Sequence, residues 1–269
     1  MITFPNAKIN LGLNIVSKRP DGYHNIETVF YPVRLYDALE IVPAANETTT
    51  FTQTGIPIAG DPEENLVLKA YRLLQKQYPL PEIDIYLQKN IPLGAGLGGG
   101  SADAAFMLKL LNDFAGLQLT DSQLEEYASQ LGADCAFFIQ NRPVFAEGVG
   151  TIFTPVTVPI KRYFVIIVQP DIHVSTQEAY AGVSLQLPKE SIRDVIGCPV
   201  NTWKNCLVND FESGLFARFP EINVIKQKLY EKGAVYASMS GSGSAVFGIF
   251  KTRECLESEF PGSMVFTCY

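Results

Sequence analysis

Apolar and polar side chains alternate strictly near the start of the chain. Ala7, Ile9, Leu11, Leu13 and Ile15 fall on one side, and Lys8, Asn10, Gly12 and Asn14 on the other. A period of two predicts a half-buried strand with Lys8 and Asn10 on the same face. Pro20-Asp21-Gly22 signals a turn, and Ile26, Thr28 and Phe30 then resume the alternation in a second strand. The period changes between Asn65 and Tyr78, where Leu66, Ala70 and Leu73, with Val67, Tyr71 and Leu74, recur at helical spacing. Ile83, Ile85 and Leu87 alternate again. Phe106, Leu110 and Phe114, with Met107 and Leu111, mark a further helical face closed by Gly116. Thr120 and Gln123 make a capping box for a helix with the stripe Leu124, Tyr127, Ala128 and Leu131, which Gly132 ends.

Glu147-Gly148-Val149-Gly150, followed by Pro155, reads as a boundary region. Beyond it the pattern predicts a strand over Tyr163 to Val168 and helices around Thr176 to Tyr180, Trp203 to Phe216 and Pro220 to Glu231. A strand at Val235 to Met239, the turn Gly241-Ser242-Gly243 and a strand at Ala245 to Phe250 follow. A short helix at Arg253 to Phe260 and a strand at Met264 to Cys268 complete the chain. The order is β-α-β-β-α-β with an elaborated first crossover. An α+β protein of two domains results, residues 1–155 and 156–269.

Composition narrows the function. The 269 residues include 21 basic and 28 acidic side chains, a net charge of −7. A charged fraction of 18% with 47% apolar residues excludes a disordered chain. The acidic balance argues against a nucleic-acid partner. No apolar run approaches the roughly 20 residues of a membrane span, and the alternating start is unlike a secretion signal, so a cytoplasmic protein is expected. Five cysteines without C-x-x-C spacing, and two distant histidines, point to neither a disulfide framework nor a zinc site. Nothing in the pattern calls for an obligate protein partner.

The most specific signal is Pro92-Leu93-Gly94-Ala95-Gly96-Leu97-Gly98-Gly99-Gly100-Ser101-Ala102, with five glycines between Gly94 and Gly100. Glycine at this density lets backbone N–H groups approach an anion closely, and the small residues that follow open a helix N-terminus towards a phosphate. Gly94-x-Gly96-x-x-Gly99 matches the dinucleotide fingerprint, but Pro92 keeps a central strand from running into it. Gly94-x-x-x-x-Gly99-Gly100-Ser101 is a Walker pattern with glycine in place of lysine, so the positive charge for phosphoryl chemistry must come from elsewhere.

The loop closely resembles that of the GHMP kinases. Pro5 to Leu11 (PNAKINL) and Ser240 to Phe247 (SGSGSAVF) are similar to the superfamily's N- and C-terminal motifs. Arg19 to His24 (RPDGYH), Gly98 to Ser101 (GGGS), Leu131 to Asp134 (LGAD), Phe145 to Gly150 (FAEGVG) and Asn209 to Glu212 (NDFE) resemble the branch that acts on a cytidine diphosphate-linked methylerythritol. The resemblance implies the GHMP kinase fold, with an N-terminal ribosomal-protein-S5-like nucleotide-binding domain and a C-terminal ferredoxin-like domain. It implies ATP-dependent phosphorylation of the 2-hydroxyl of a small-molecule substrate, 4-diphosphocytidyl-2-C-methyl-D-erythritol, in non-mevalonate isoprenoid precursor biosynthesis. ATP then lies along Pro92 to Ala102, with Lys89 and Asn65 lining its adenine and ribose. Asp134 is the implied catalytic base and Lys8 its partner. Tyr23 and Tyr180 resemble the aromatic pair that sandwiches cytosine, and His24 meets the base edge. Asn10 and Thr176 contact the polyol and its phosphates, and Ser242 a phosphate oxygen. Mg²⁺ is expected from the chemistry, with no ligand identified. One departure stands out: Cys135-Ala136 follows Asp134 where the family usually has Val-Pro. Another small-molecule GHMP kinase, for homoserine or mevalonate, is the competing enzyme, and a catalytically silent sensor the competing non-enzyme. Pro20 to His24 argues against the first, and the intact Lys8, Asp134 and glycine loop against the second.

Overall fold

The computed structural model describes residues 1–58, 60–183 and 190–268. The chain packs into two compact units. One comprises residues 1–7, 35–93 and 98–142; the other comprises 8–34, 94–97 and 143–269.

The first unit holds a four-stranded sheet in the order β1 (Ile2–Thr3), β4 (Ala38–Pro43), β6 (Ile83–Lys89), β5 (Thr50–Gly55). β5 runs parallel to β6, and the other pairs are antiparallel. Leu39 pairs with Leu87 and Ile41 with Ile85, and all four are buried. The helices are α1 (Leu66–Gln75), α2 (Gly99–Phe114), α3 (Asp121–Leu131) and α4 (Phe137–Gln140). Val67, Ala70, Tyr71 and Leu74 of α1 are buried, as are Met107, Leu108 and Leu111 of α2. The capping box at Thr120 and Gln123 forms as the sequence predicts. The sequence pattern does not show β4 or β5. β5 reads TFTQTG, a polar edge strand with one apolar residue and so no alternation to detect.

Among the described residues the second unit contains two sheets. In one, β2 (Asn6–Lys18), β3 (His24–Tyr36), β7 (Val144–Glu147) and β8 (Ile152–Pro155) lie side by side. The glycines at 148 and 150, expected to mark a boundary, instead turn the β7–β8 hairpin, at φ of 67° and 89°. The other sheet is antiparallel in the order β10 (Tyr236–Met239), β11 (Val246–Phe250), β9 (Phe164–Pro170), β12 (Ser263–Cys268). The helices are α5 (Thr176–Ala181), α6 (Ile192–Val195), α7 (Phe211–Arg218) and α8 (Pro220–Glu231). Ile222, Ile225 and Leu229 of α8 share one core with Ile166, Val168 and Val246 and with Leu13 and Ile15 of β2.

Two predicted helices differ. Trp203 to Phe216 is split into a 3-10 turn at Val200–Asn205 and α7; between them Asn209 Oδ1 accepts the Phe211 N–H that opens α7, and Asp210 accepts the Ile15 N–H of β2. Arg253 to Phe260 shrinks to a 3-10 turn at Glu257–Glu259, with Pro261 just beyond it. Among the described residues no helix is long and apolar enough to cross a membrane.

Candidate active site

The glycine loop is built from alternating anchors and bends. Gly94, Gly96 and Gly98 have φ of 62°, 77° and 70°, a region L side chains rarely adopt. Ala95 and Leu97 between them are buried. A Cβ at Gly96 would lie 1.9 Å from the carbonyl oxygen of Ser240, so only glycine fits there. The Ala245 N–H donates to the Ala95 carbonyl at 3.2 Å, which ties the loop to the turn after β10. Gly98 is the N-cap of α2 and supplies no side-chain cap. The first-turn N–H groups of this 16-residue helix are therefore not consumed by a cap, the arrangement that favours a bound phosphate.

Lys8 and Asn10 project from β2 as the alternation predicts, yet both are buried. The Lys8 Nζ donates to Asn10 Oδ1 at 2.6 Å and sits 4.9 Å from the centroid of the Phe30 ring. Asn10 Nδ2 donates to Thr28 Oγ1 at 3.0 Å, and Thr28 Oγ1 in turn donates to the Gly12 carbonyl at 2.5 Å. The backbone N–H of Lys8 reaches the Leu97 carbonyl at 2.9 Å, so the strand that carries the lysine is bonded to the glycine loop. The Asn10 N–H reaches Ser240 Oγ at 3.2 Å, and Ser240 donates to the Gly96 carbonyl at 2.9 Å. Sequence reading missed Thr28 and Ser240. Ser240 opens the SGSGSAVF motif, which is a usable signal; Thr28 has none beyond its strand position.

Lys89 has a different place from the expected one. Its side chain is fully enclosed, and its ammonium binds Asp37 and, at 2.8 Å, Asp103. It does not line an adenine pocket with its side chain, because two buried carboxylates hold the charge inside. Asp37 Oδ1 also accepts the N–H groups of Asn90 and Ile91 at 2.6 and 2.9 Å, fixing the chain just before Pro92. Burial raises the Asp103 carboxyl to about 7, although Lys89 opposes the shift. Its Oδ1 is buried and has no hydrogen-bond partner among the described residues. Neither aspartate carries a sequence signal.

The remaining expected residues lie on separate elements, with His24 and Tyr180 in direct contact. Asn65 is half-buried and caps α1, its Oδ1 accepting from Val67 N at 2.9 Å. Asp134 lies in the turn between α3 and α4 and is partly exposed. Burial pushes the neighbouring Cys135 thiol up to about 11, against a hydrogen bond from Ser101 that lowers it. Ala136, where the family has proline, has φ −60° and so keeps a backbone that proline would accept. His24 stacks on Tyr180 with centroids 4.6 Å apart and an interplanar angle of 15°. Phe211 meets Tyr180 edge-on at 4.9 Å. Tyr23 follows the Pro20 to Gly22 turn and is 67% exposed. Thr176 opens α5, exposed, and Ser242 is half-buried in the turn after β10.

Known proteins resemble this chain in sequence and fold. The description "GHMP kinases N terminal domain" matches residues 65–142, and "GHMP kinases C terminal" matches 201–257. A 4-diphosphocytidyl-2-C-methyl-D-erythritol kinase of Bacteroides fragilis is 59% identical over 94% of this chain and 93% of its own. The protein of the same name from Bacteroides thetaiotaomicron is 58% identical over 99% of this chain and 98% of its own. A crystal structure of 4-(cytidine 5'-diphospho)-2C-methyl-D-erythritol kinase superposes with a TM-score of 0.83 at 30% identity, covering 100% of this chain and 98% of that one. With the loop, the lysine strand and the second glycine turn in place, and with likeness over almost its whole length, the chain belongs to the GHMP kinase family and, within it, to the 4-diphosphocytidyl-2-C-methyl-D-erythritol kinases.

Proposed function

We propose that this chain transfers the γ-phosphoryl group of ATP to the 2-hydroxyl of 4-diphosphocytidyl-2-C-methyl-D-erythritol, as a cytoplasmic enzyme of isoprenoid precursor synthesis. The observation that carries the reading is the bond from the Lys8 N–H to the Leu97 carbonyl, which joins a buried lysine strand to a glycine loop. The chemistry needs phosphates held, charge neutralised and a hydroxyl oriented. Residues 92–102 offer backbone N–H groups and the N-terminus of α2 to the phosphates. Lys8 supplies the cation that the loop lacks. Asp134 accepts the proton of the attacking hydroxyl, a role taken from the resemblance.

Mg²⁺ enters this reading as the metal complex of ATP, as part of the substrate. Among the described residues no group of three or more His, Cys, Asp or Glu side chains is placed to hold a resident ion. Tyr23 and Tyr180 give cytosine two aromatic faces, with His24 moving from its stack on Tyr180 to the base edge. Asn10 and Thr176 bind the polyol side, Ser242 a phosphate oxygen, and Asn65 the nucleoside end of ATP. We keep residues 1–155 as the nucleotide-binding half and 156–269 as the ferredoxin-like half.

The test is direct. Purified protein with MgATP and the cytidine substrate is expected to yield ADP and a substrate phosphorylated at the 2-hydroxyl, read by phosphorus NMR. Equal or better turnover of homoserine or mevalonate would replace the substrate, and no turnover of any of the three would favour a silent sensor.

A further inference from the structure

Asn209-Asp210-Phe211-Glu212 carries three polar side chains for which phosphoryl transfer gives no direct role. All three are committed to other parts of the second unit. Asp210 accepts the Ile15 N–H at 2.7 Å and Asn14 Nδ2 at 3.3 Å. The backbone adds two bonds to Leu13, from its N–H to the Val208 carbonyl and from the Asp210 N–H to its carbonyl, each 2.8 Å. The segment thus grips β2 just past Asn10.

Its other hand holds the turn after β10. Asn209 Nδ2 donates to the carbonyls of Met239 and Gly241, both at 2.9 Å, while its Oδ1 accepts from Phe211 N at 3.1 Å. Glu212 Oε1 accepts the Met239 N–H at 2.8 Å and Ser238 Oγ at 3.1 Å, and Oε2 takes Lys226 at 2.6 Å. The two carbonyls flank Ser240, the residue whose Oγ links the Asn10 N–H to the Gly96 carbonyl. Asn209, Glu212, Ser240, Asn10 and Lys8 are all buried, so none of these groups falls back on water when a partner is lost.

We propose that Asn209 is a positioning residue for phosphoryl transfer: by holding the Met239 and Gly241 carbonyls it fixes Ser240, and through Ser240 the placement of Asn10 and Lys8 against the turn at Gly96. The inference rests on the reading that Lys8 and Asn10 serve the transfer. Asparagine suits the task because one amide presents two N–H groups to two carbonyls and keeps an oxygen for the start of α7. Aspartate would turn an oxygen towards both carbonyls, and glutamine is one methylene too long.

Three variants test it with MgATP and the cytidine substrate: Asn209→Ala, Ser240→Ala and the core control Leu215→Ala. Asn209→Ala is expected to lower kcat about tenfold or more while KM for ATP stays within about threefold. Ser240→Ala should do the same, and the double variant should fall little below either single one, because both act through one connection. Leu215→Ala is expected to lower the melting temperature at least as much and keep its kcat, which separates positioning from plain destabilisation. A folded Asn209→Ala with wild-type kcat, or a kcat loss equal to that of the control at equal loss of stability, overturns the proposal. Should Asn209→Ala fail to fold, Ser240→Ala decides it alone: wild-type kcat overturns, a tenfold fall supports. Amide exchange needs no substrate, so it keeps the inference testable even if the wild type does not phosphorylate the cytidine compound. Faster exchange at the Asn10 N–H in either variant supports the connection, and unchanged exchange removes it.

Discussion

The ammonium of Lys89 faces two carboxylates, so its buried cluster carries one excess negative charge when both are ionised. Asp103, raised from 3.8 to about 7 chiefly by burial, is where that excess is relieved. An acid whose folded pKa lies above its unfolded one holds its proton more tightly when folded, so stability falls as pH rises between about 4 and 7. Asp103→Asn removes the titration. Its melting temperature should therefore gain on the wild type from pH 4 to pH 8, and a constant difference would exclude the assignment. Lys89→Met should cost about 3–5 kcal/mol in a denaturation curve, because it leaves carboxylates buried without their cation. In the proposed site, Asp134→Asn is expected to lower kcat by about 10²–10⁴ with ATP affinity kept. Tyr180→Ala should weaken the cytidine substrate by about 1–3 kcal/mol in KM, with Tyr180→Phe mild, since the stacking face survives. Single residues were the least legible level of the sequence. The alternation correctly put Lys8 and Asn10 on one strand face, but Lys89 was expected at the nucleotide. Its two partners lie 52 and 14 residues away, and no local pattern announces a long-range ion pair.

Elements were more legible, and the reasons are physical. Period-two and helical stripes report burial on one side, and caps report orphan N–H groups, so β2, β6, α1, α3 and α8 could be read directly. β5 has almost no buried face, and the helix expected from Trp203 is broken by side chains bonded to backbone. The glycine loop was readable as a tight loop opening a helix, yet its need for the turn after β10 was not. That need gives a sharp contrast. Gly96→Ala places a Cβ 1.9 Å from the Ser240 carbonyl oxygen and forces a left-handed φ on alanine, so the loop must move. ATP affinity measured by calorimetry should fall tenfold or more, about 1.4 kcal/mol. Gly197→Ala meets nothing within 4 Å at ordinary φ and should leave ATP affinity unchanged.

At the scale of the molecule, the family halves and the packing units follow different lines. The sequence suggested a single cut near residue 155, where Glu147 to Gly150 and then Pro155 read as a boundary region. The second unit nevertheless includes residues 8–34, and Leu13 and Ile15 belong to its core. Distant pairing of this kind leaves no trace in a local window. A fragment of residues 156–269 lacks those two side chains and the β2 groups bonded to Asp210. It is expected to show helical circular dichroism without a cooperative melting transition. A sharp two-state transition in the isolated fragment would show that the core closes without β2. The same pairing sets a timetable for the growing chain. Ile15 must wait for Asp210, 195 positions later, and at about 5–20 residues per second that is a delay of roughly 10–40 s on the ribosome. For that interval Leu13 and Ile15 of β2 can pair with β3 but lack the C-terminal part of their core, so this corner of the fold closes only late in synthesis.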